Sequence, residues 1–284
     1  MIVVTEIVVF QAPGHNRSRI VCDAMLTGIQ RCGDSVELRS SHLYRRPDAR
    51  VAVFYGLAQG CRQIFAEYVA AGRKAVYIDL GYWGRRKRTR WDGFHKLSVN
   101  DRHPTAYFQR VPHADDRFCH FDIPIKPWRA KGDHIIIAGM SAKAAAAEGF
   151  RPEQWEREVI AKLRKLTRRP IIYRPKPNWN EARPIIGAEM ICDPDLSRAL
   201  DGCHAVVTHH SNVAVDAILA GVPAFVWKGV AMPMASSDLR RIEDPAMPDG
   251  REQWAADVAW TQWSVDEMNS GEAWRHLRGE GIVS

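Results

Sequence analysis

Long hydrophobic runs are missing from this chain. No apolar stretch approaches the roughly 20 residues a helix needs to cross a bilayer. The N-terminal run Met1–Phe10 carries Glu6 and lacks a basic leader, so it reads as a first strand rather than a signal peptide, and the expected location is the cytoplasm (host cytoplasm if the chain is viral). Cysteines are few: Cys22, Cys32, Cys61, Cys119, Cys192 and Cys203 are scattered and form no CxxC pair. That excludes a zinc ribbon and gives no sign of a disulfide framework; they read as reduced, mostly buried thiols. Gly14-His15-Asn16 is not a GxGxxG fingerprint, so no dinucleotide site is expected. With no DxD motif and no His/Asp cluster, no metal is expected either, and there is no internal repeat.

What is present is globular in character. The 284 residues are 46% hydrophobic and 26% charged, enough for two ordinary domains. The formal net charge of +7 favours an anionic partner without choosing among nucleotide, nucleic acid and anionic polymer. Apolar runs alternate with amphipathic segments. Strands are expected at Ile2–Phe10, Val36–Arg39, Val51–Tyr55 and Lys74–Ile78, then at His134–Ala138, Pro170–Tyr173, Ala188–Cys192, His204–Thr208 and from Pro223. Helices fill the gaps, which argues for parallel, doubly wound sheets. The Pro-rich stretch Phe121–Gly132 reads as a linker, giving expected domains 1–125 and 126–284. The tail Arg251–Leu277, with Trp254, Trp260, Trp263 and Trp274, is expected as an aromatic-rich helix.

Ligands of such sheets sit at the carboxyl ends of the strands. There the stretch Thr208–Phe225 runs strand, polar turn (His209-His210-Ser211-Asn212), helix, then strand again. Unbonded N–H groups at the helix start favour an anion, Ser211 or Asn212 can cap, and Asp216 can accept from ribose hydroxyls. An ordinary strand-turn-helix with a capping Ser is the plain alternative. Asp79, just past a strand, is the candidate general base, with His15 and Asp101 in reserve; capping of a local turn is the competing role for Asp79. Arg85, Arg86, Lys87, Arg88 and Arg90, flanked by Trp83 and Trp91, suit phosphate-backbone contact, or else form a solvated loop.

The run Ser211, Asn212, Asp216, Ala217, Gly221, Pro223 resembles the nucleotide-sugar site of GT-B glycosyltransferases. Many of those enzymes have Glu where Asp216 stands. Arg174-Pro-Lys-Pro resembles the R/K-P-H-P motif of bacterial sialyltransferase-like and capsule-polymer transferases, with His210-Ser211 in place of the S/T-S partner motif. The resemblance implies two Rossmann-like domains facing a central cleft. It also implies donor contacts from Gly139, Ser141, Lys143, Arg174, Lys176, His209, His210, Ser211, Asn212 and Asp216 to a nucleotide-diphosphate sugar, with UDP the first choice. Lys176 replaces the usual His and supplies charge rather than a proton-transfer group. The short basic chain resembles compact phage enzymes that glycosylate hydroxymethylated pyrimidines, implying DNA as acceptor and a monomer or weak dimer. A capsule or lipid-linked glycan acceptor, a non-catalytic nucleotide- or nucleic-acid-binding protein, and a nucleotide-sugar epimerase are the alternatives.

Overall fold

The structure, a computed structural model, describes residues 6–85, 92–105, 112–177, 179–193 and 195–283. They fall into two compact units. One comprises residues 1–121 with 256–284, the other residues 122–255. The tail thus belongs with the first unit, and the boundary falls a few residues before the one read from the linker.

The first unit is a six-stranded sheet. Strands β1 (Ile7–Gln11), β2 (Val36–Ser40), β3 (Val51–Tyr55) and β4 (Lys74–Leu80) run parallel in the order β2-β1-β3-β4. β5 (Phe94–Val99) and β11 (Gln262–Ser264) extend it antiparallel beyond β4. β1, β3 and much of β4 read as unbroken apolar runs because both faces are covered. Helices α1 (Asn16–Arg31), α9 (Val265–Ser270) and α10 (Glu272–Gly279) pack one face around Val21, Met25, Met268 and Trp274; α2 (Cys61–Ala70) covers the other through Ile64 and Tyr68. A four-residue turn of helix, α3 (Asp116–Cys119), precedes the second unit. The tail departs from the single helix expected of it. α8 (Arg251–Ala259) ends before β11, and a Ser264–Glu267 capping box starts α9.

The second unit is an all-parallel sheet. β6 (His134–Ala138), β7 (Ile171–Arg174), β8 (Glu189–Met190), β9 (Cys203–Thr208) and β10 (Ala224–Val226) stand in the order β8-β7-β6-β9-β10. Chain order therefore reverses between β6 and β9, the switch point of a Rossmann-like sheet. α4 (Ala142–Ala147) and α5 (Gln154–Leu163) follow β6, with Trp155, Ile160 and Leu163 packed on one face. α6 (Leu196–Leu200) and α7 (Val213–Leu219) cover the other. The Pro-rich segment is an ordered strap on this unit: Lys126 N–H donates to Leu219 O (2.8 Å) and Arg129 N–H to Gly221 O (2.7 Å). Gly221 (φ +76°) permits this approach, since a Cβ there would stand 2.0 Å from Pro127 O.

No helix among the described residues is long and apolar enough to cross a membrane.

Candidate functional site

Parallel register places the second unit's loops at one edge. Ala138 stands beside both Arg174 and Thr208, and Thr208 beside Val226, so β6, β7, β9 and β10 end together. The Thr208 hydroxyl donates to Ala138 O at 2.7 Å and ties β9 to β6 where the order reverses. The loops carrying Gly139, Ser141, Arg174, His209 and Ser211 therefore open on a common edge.

The loop after β6 is held from below. Gly139 N–H donates to Arg174 O (3.0 Å) and Met140 N–H to Glu156 Oε1 (2.6 Å), so neither amide is turned to a ligand. Ser141 caps α4 by accepting from Ala144 N–H at 3.3 Å, and Lys143 projects from that helix, exposed. Glu156 is fully buried, its Oε2 has no hydrogen-bond partner, and burial pushes its carboxyl pKa up.

Arg174 is also buried. Desolvation pulls its guanidinium pKa down, while Asp193, Asp195 and Asp216 pull it up, so its charge lies in the field of those carboxylates. Lys176 beyond it is exposed. Ser211, rather than Asn212, closes the turn into α7: its Oγ accepts from Val213 N–H at 3.3 Å, and Asn212 makes no side-chain cap. Asp216 lines a cavity of about 490 Å³ together with Lys126, Arg129, Asp195 and Ser197. α7 spans only seven residues, so side chains and turn amides contribute more here than the helix dipole does.

On the other flank, β9 delivers His209 and His210. His209 is buried, edge-on to Phe150 and Trp155 at 5.6 Å each. The two Nδ1 atoms lie 2.8 Å apart. Glu148, just past α4, reaches the same point, and one donor atom from each of Glu148, His209 and His210 lies within 4.8 Å of the others. The sequence showed no such cluster, because Glu148 lies 61 and 62 positions from the two histidines and only tertiary structure joins them.

In the first unit, the order reverses between β1 and β3. Asp79 sits at the carboxyl end of β4, its Oδ2 accepting from the Tyr77 hydroxyl and its Oδ1 from Leu80 N–H, both at 2.8 Å. Around this edge Arg17 donates to the Tyr55 hydroxyl at 2.7 Å, and the His15 and His95 rings flank Tyr55 at 5.9 and 5.8 Å. Burial, then the Asp79 charge, pushes the Tyr55 phenol up to about 12. Buried His95 is held down at about 4, chiefly by desolvation. Nothing in the sequence marked His95, because β5 (Phe-His-Lys-Leu-Ser-Val) is too polar to read as an inner strand. His15 caps α1 by accepting from Ser18 N–H at Nδ1 (3.1 Å). In its neutral form Nε2 then carries the proton, so His15 offers a donor and not a base.

Asp101 requires a correction. β5 runs antiparallel, Val99 pairs with Val76, and Asn100 bonds Ala75, so Asp101 lies at the opposite edge from Asp79. It accepts from His103 N–H and Thr105 Oγ1 in a local turn. Of the cationic run, Arg85 turns inward, its Nε donating to Gly81 O at 2.6 Å. Arg86, Lys87, Arg88 and Arg90 lie outside the described residues.

No protein-family model matches this chain, and no curated relative does. Solved structures do. The beta Kdo 2,7 transferase of Thermosulfurimonas dismutans KpsC superposes with a TM-score of 0.55 at 12% identity, over 96% of this chain and 99% of that one. The beta Kdo 2,4 transferase of the same protein gives 0.53 at 9% identity, over 90% of each. At such identities the likeness is one of fold. The chain has the α/β fold of GT-B glycosyltransferases, built from two Rossmann-like units.

Proposed function

We propose that the chain is a glycosyltransferase, taking a sugar from a nucleotide-activated donor held by residues 122–255 to a hydroxyl of a glycan. The observation that carries this reading is the common edge at the β6/β9 reversal, where β6 and β9 end in register with Arg174 of β7 and lead into the loops of Ser141 and Ser211. Arg174 and Lys176 neutralise the leaving phosphate, Ser211 and Asn212 donate to it, and Asp216, which lines the cavity of about 490 Å³, receives the ribose hydroxyls. Asp79, its carboxylate fixed by Tyr77 and Leu80, takes the acceptor proton.

A glycan acceptor is favoured over DNA. The two neighbours described above are named as Kdo transferases, and the described part of the cationic run, Arg85, is engaged with its own chain. Kdo is accordingly the first donor sugar to try.

Incubation with a panel of nucleotide sugars and glycan acceptors, read by mass spectrometry, tests this. Product is expected from one donor, and Asp79→Asn should slow its formation by about 10²-fold or more while leaving nucleotide affinity intact. Transfer undiminished in that variant would remove Asp79 as the base. Nucleotide binding with neither transfer nor donor hydrolysis would make the chain a binding protein, and transfer to hydroxymethylated DNA alone would restore the nucleic-acid reading.

A further inference from the structure

We propose that Glu148, His209 and His210 form a binding site for a borderline divalent cation of the first transition series, with Zn²⁺ the reference ion. The donor set is brought together by tertiary structure, from the end of α4 and the turn after β9, with all ligand atoms within 4.8 Å. Two imidazoles and one carboxylate suit Zn²⁺ or Co²⁺, whereas Mg²⁺ and Ca²⁺ select oxygen ligands.

The histidines are pre-arranged for this. His209 is wedged between Phe150 and Trp155, and its carbonyl accepts from Trp227 N–H (3.1 Å) and Lys228 N–H (3.0 Å), so ring and backbone are both fixed. The Nδ1–Nδ1 separation of 2.8 Å means that two lone-pair positions face one point with a single proton between them when both rings are neutral. A cation can displace that proton. Metal–nitrogen bonds of about 2.0–2.1 Å in a tetrahedral site require the two nitrogens to part by roughly half an ångström, within reach of half-exposed His210.

Glu148 supplies the charge. Its side chain is 2% exposed, yet that of Lys228, whose ammonium stands 2.6 Å from its Oε2, is 51% exposed. A buried carboxylate balanced by a wet cation can exchange that cation for a metal, since lysine returns to water at little cost. Three protein ligands leave a fourth position for water or a substrate oxygen, as in catalytic rather than structural zinc sites. That the fourth ligand is a donor phosphate rests on the proposed function; binding of the ion does not.

The test titrates the full-length, metal-stripped chain with Zn²⁺, Co²⁺ and Mg²⁺ in the absence of nucleotide, by calorimetry and by Co²⁺ absorption. One Zn²⁺ per chain is expected, with no Mg²⁺ bound. The Co²⁺ spectrum should lack thiolate charge transfer, which separates this site from exposed Cys119 and Cys192. His210→Ala should weaken binding at least about tenfold with an unchanged circular dichroism spectrum. Lys228→Met should tighten it, because the competing cation is gone. Zn²⁺ bound equally by His210→Ala, or more weakly by Lys228→Met, would overturn the site. Since no nucleotide enters the titration, its failure and a failure of the donor reading are told apart.

Discussion

Single residues carry the sharpest chemistry. Glu156 accepts from Met140 N–H beneath the loop after β6, and burial raises its pKa in the folded chain. The folded state therefore holds this proton more tightly than the unfolded one. Stability from this group is complete below the unfolded value, near 4.5, and declines as pH rises toward the folded pKa. Urea unfolding from about pH 4 to 8 should show Glu156→Gln losing less stability than the parent over that span, because the amide accepts the same hydrogen bond without ionising. Parallel pH profiles would refute the assignment. Glu156→Ala, which orphans the Met140 amide and leaves a cavity, should cost about 2–4 kcal/mol near pH 4, where the parent's carboxyl is protonated, and less as pH rises. Residue chemistry of this kind was only partly legible in the sequence. Arg174 and Ser211 can be proposed from motif spacing, and Asp79 from its place after an apolar strand. Glu148, Glu156 and His95 could not, because each acquires its role from a partner far away in the chain.

At the scale of elements, the sequence displays strands buried on both faces and hides the rest. β1, β3, β4, β6 and β9 stand out as apolar, β-branched runs. β5 does not, since His95, Lys96 and Ser98 are buried polar residues whose strand is fixed by pairing with β4 and β11. β11 is three residues long, too short to register as a period. Helix packing makes a further prediction. α9 crosses α1 at Gly28, where a Cβ would sit 1.9 Å from Met268 O. Gly28→Ala should destabilise the chain by about 2 kcal/mol or more despite the better helix propensity of alanine, as measured by chemical unfolding. An unchanged midpoint would mean that α1 and α9 do not pack this closely.

At the scale of the whole molecule, the first unit is discontinuous: residues 256–284 complete it. They add β11 to its sheet and bury Trp263 and Trp274, whose Nε1 donates to Asp34 at 2.6 Å. Burial of an aromatic side chain contributes on the order of 3 kcal/mol, a large part of the 5–15 kcal/mol that keeps a domain folded. Truncation after Ala255 should therefore unfold the first unit while the sheet of residues 122–255, complete without the tail, persists. Limited proteolysis with mass spectrometry would show a resistant fragment of about that span, and equal resistance of both units would contradict the division. The measurement that bears most directly on the proposed function is calorimetric titration of the full chain with nucleoside mono- and diphosphates, for the parent and for Lys176→Ala and Asn212→Ala. Both side chains lie on the edge of the second sheet, and neither belongs to a hydrophobic core. One saturable site, selective for one base and weakened about tenfold or more in both variants, is the predicted result. Binding of no nucleotide, or binding indifferent to both substitutions, would contradict a donor site at the β6/β9 edge.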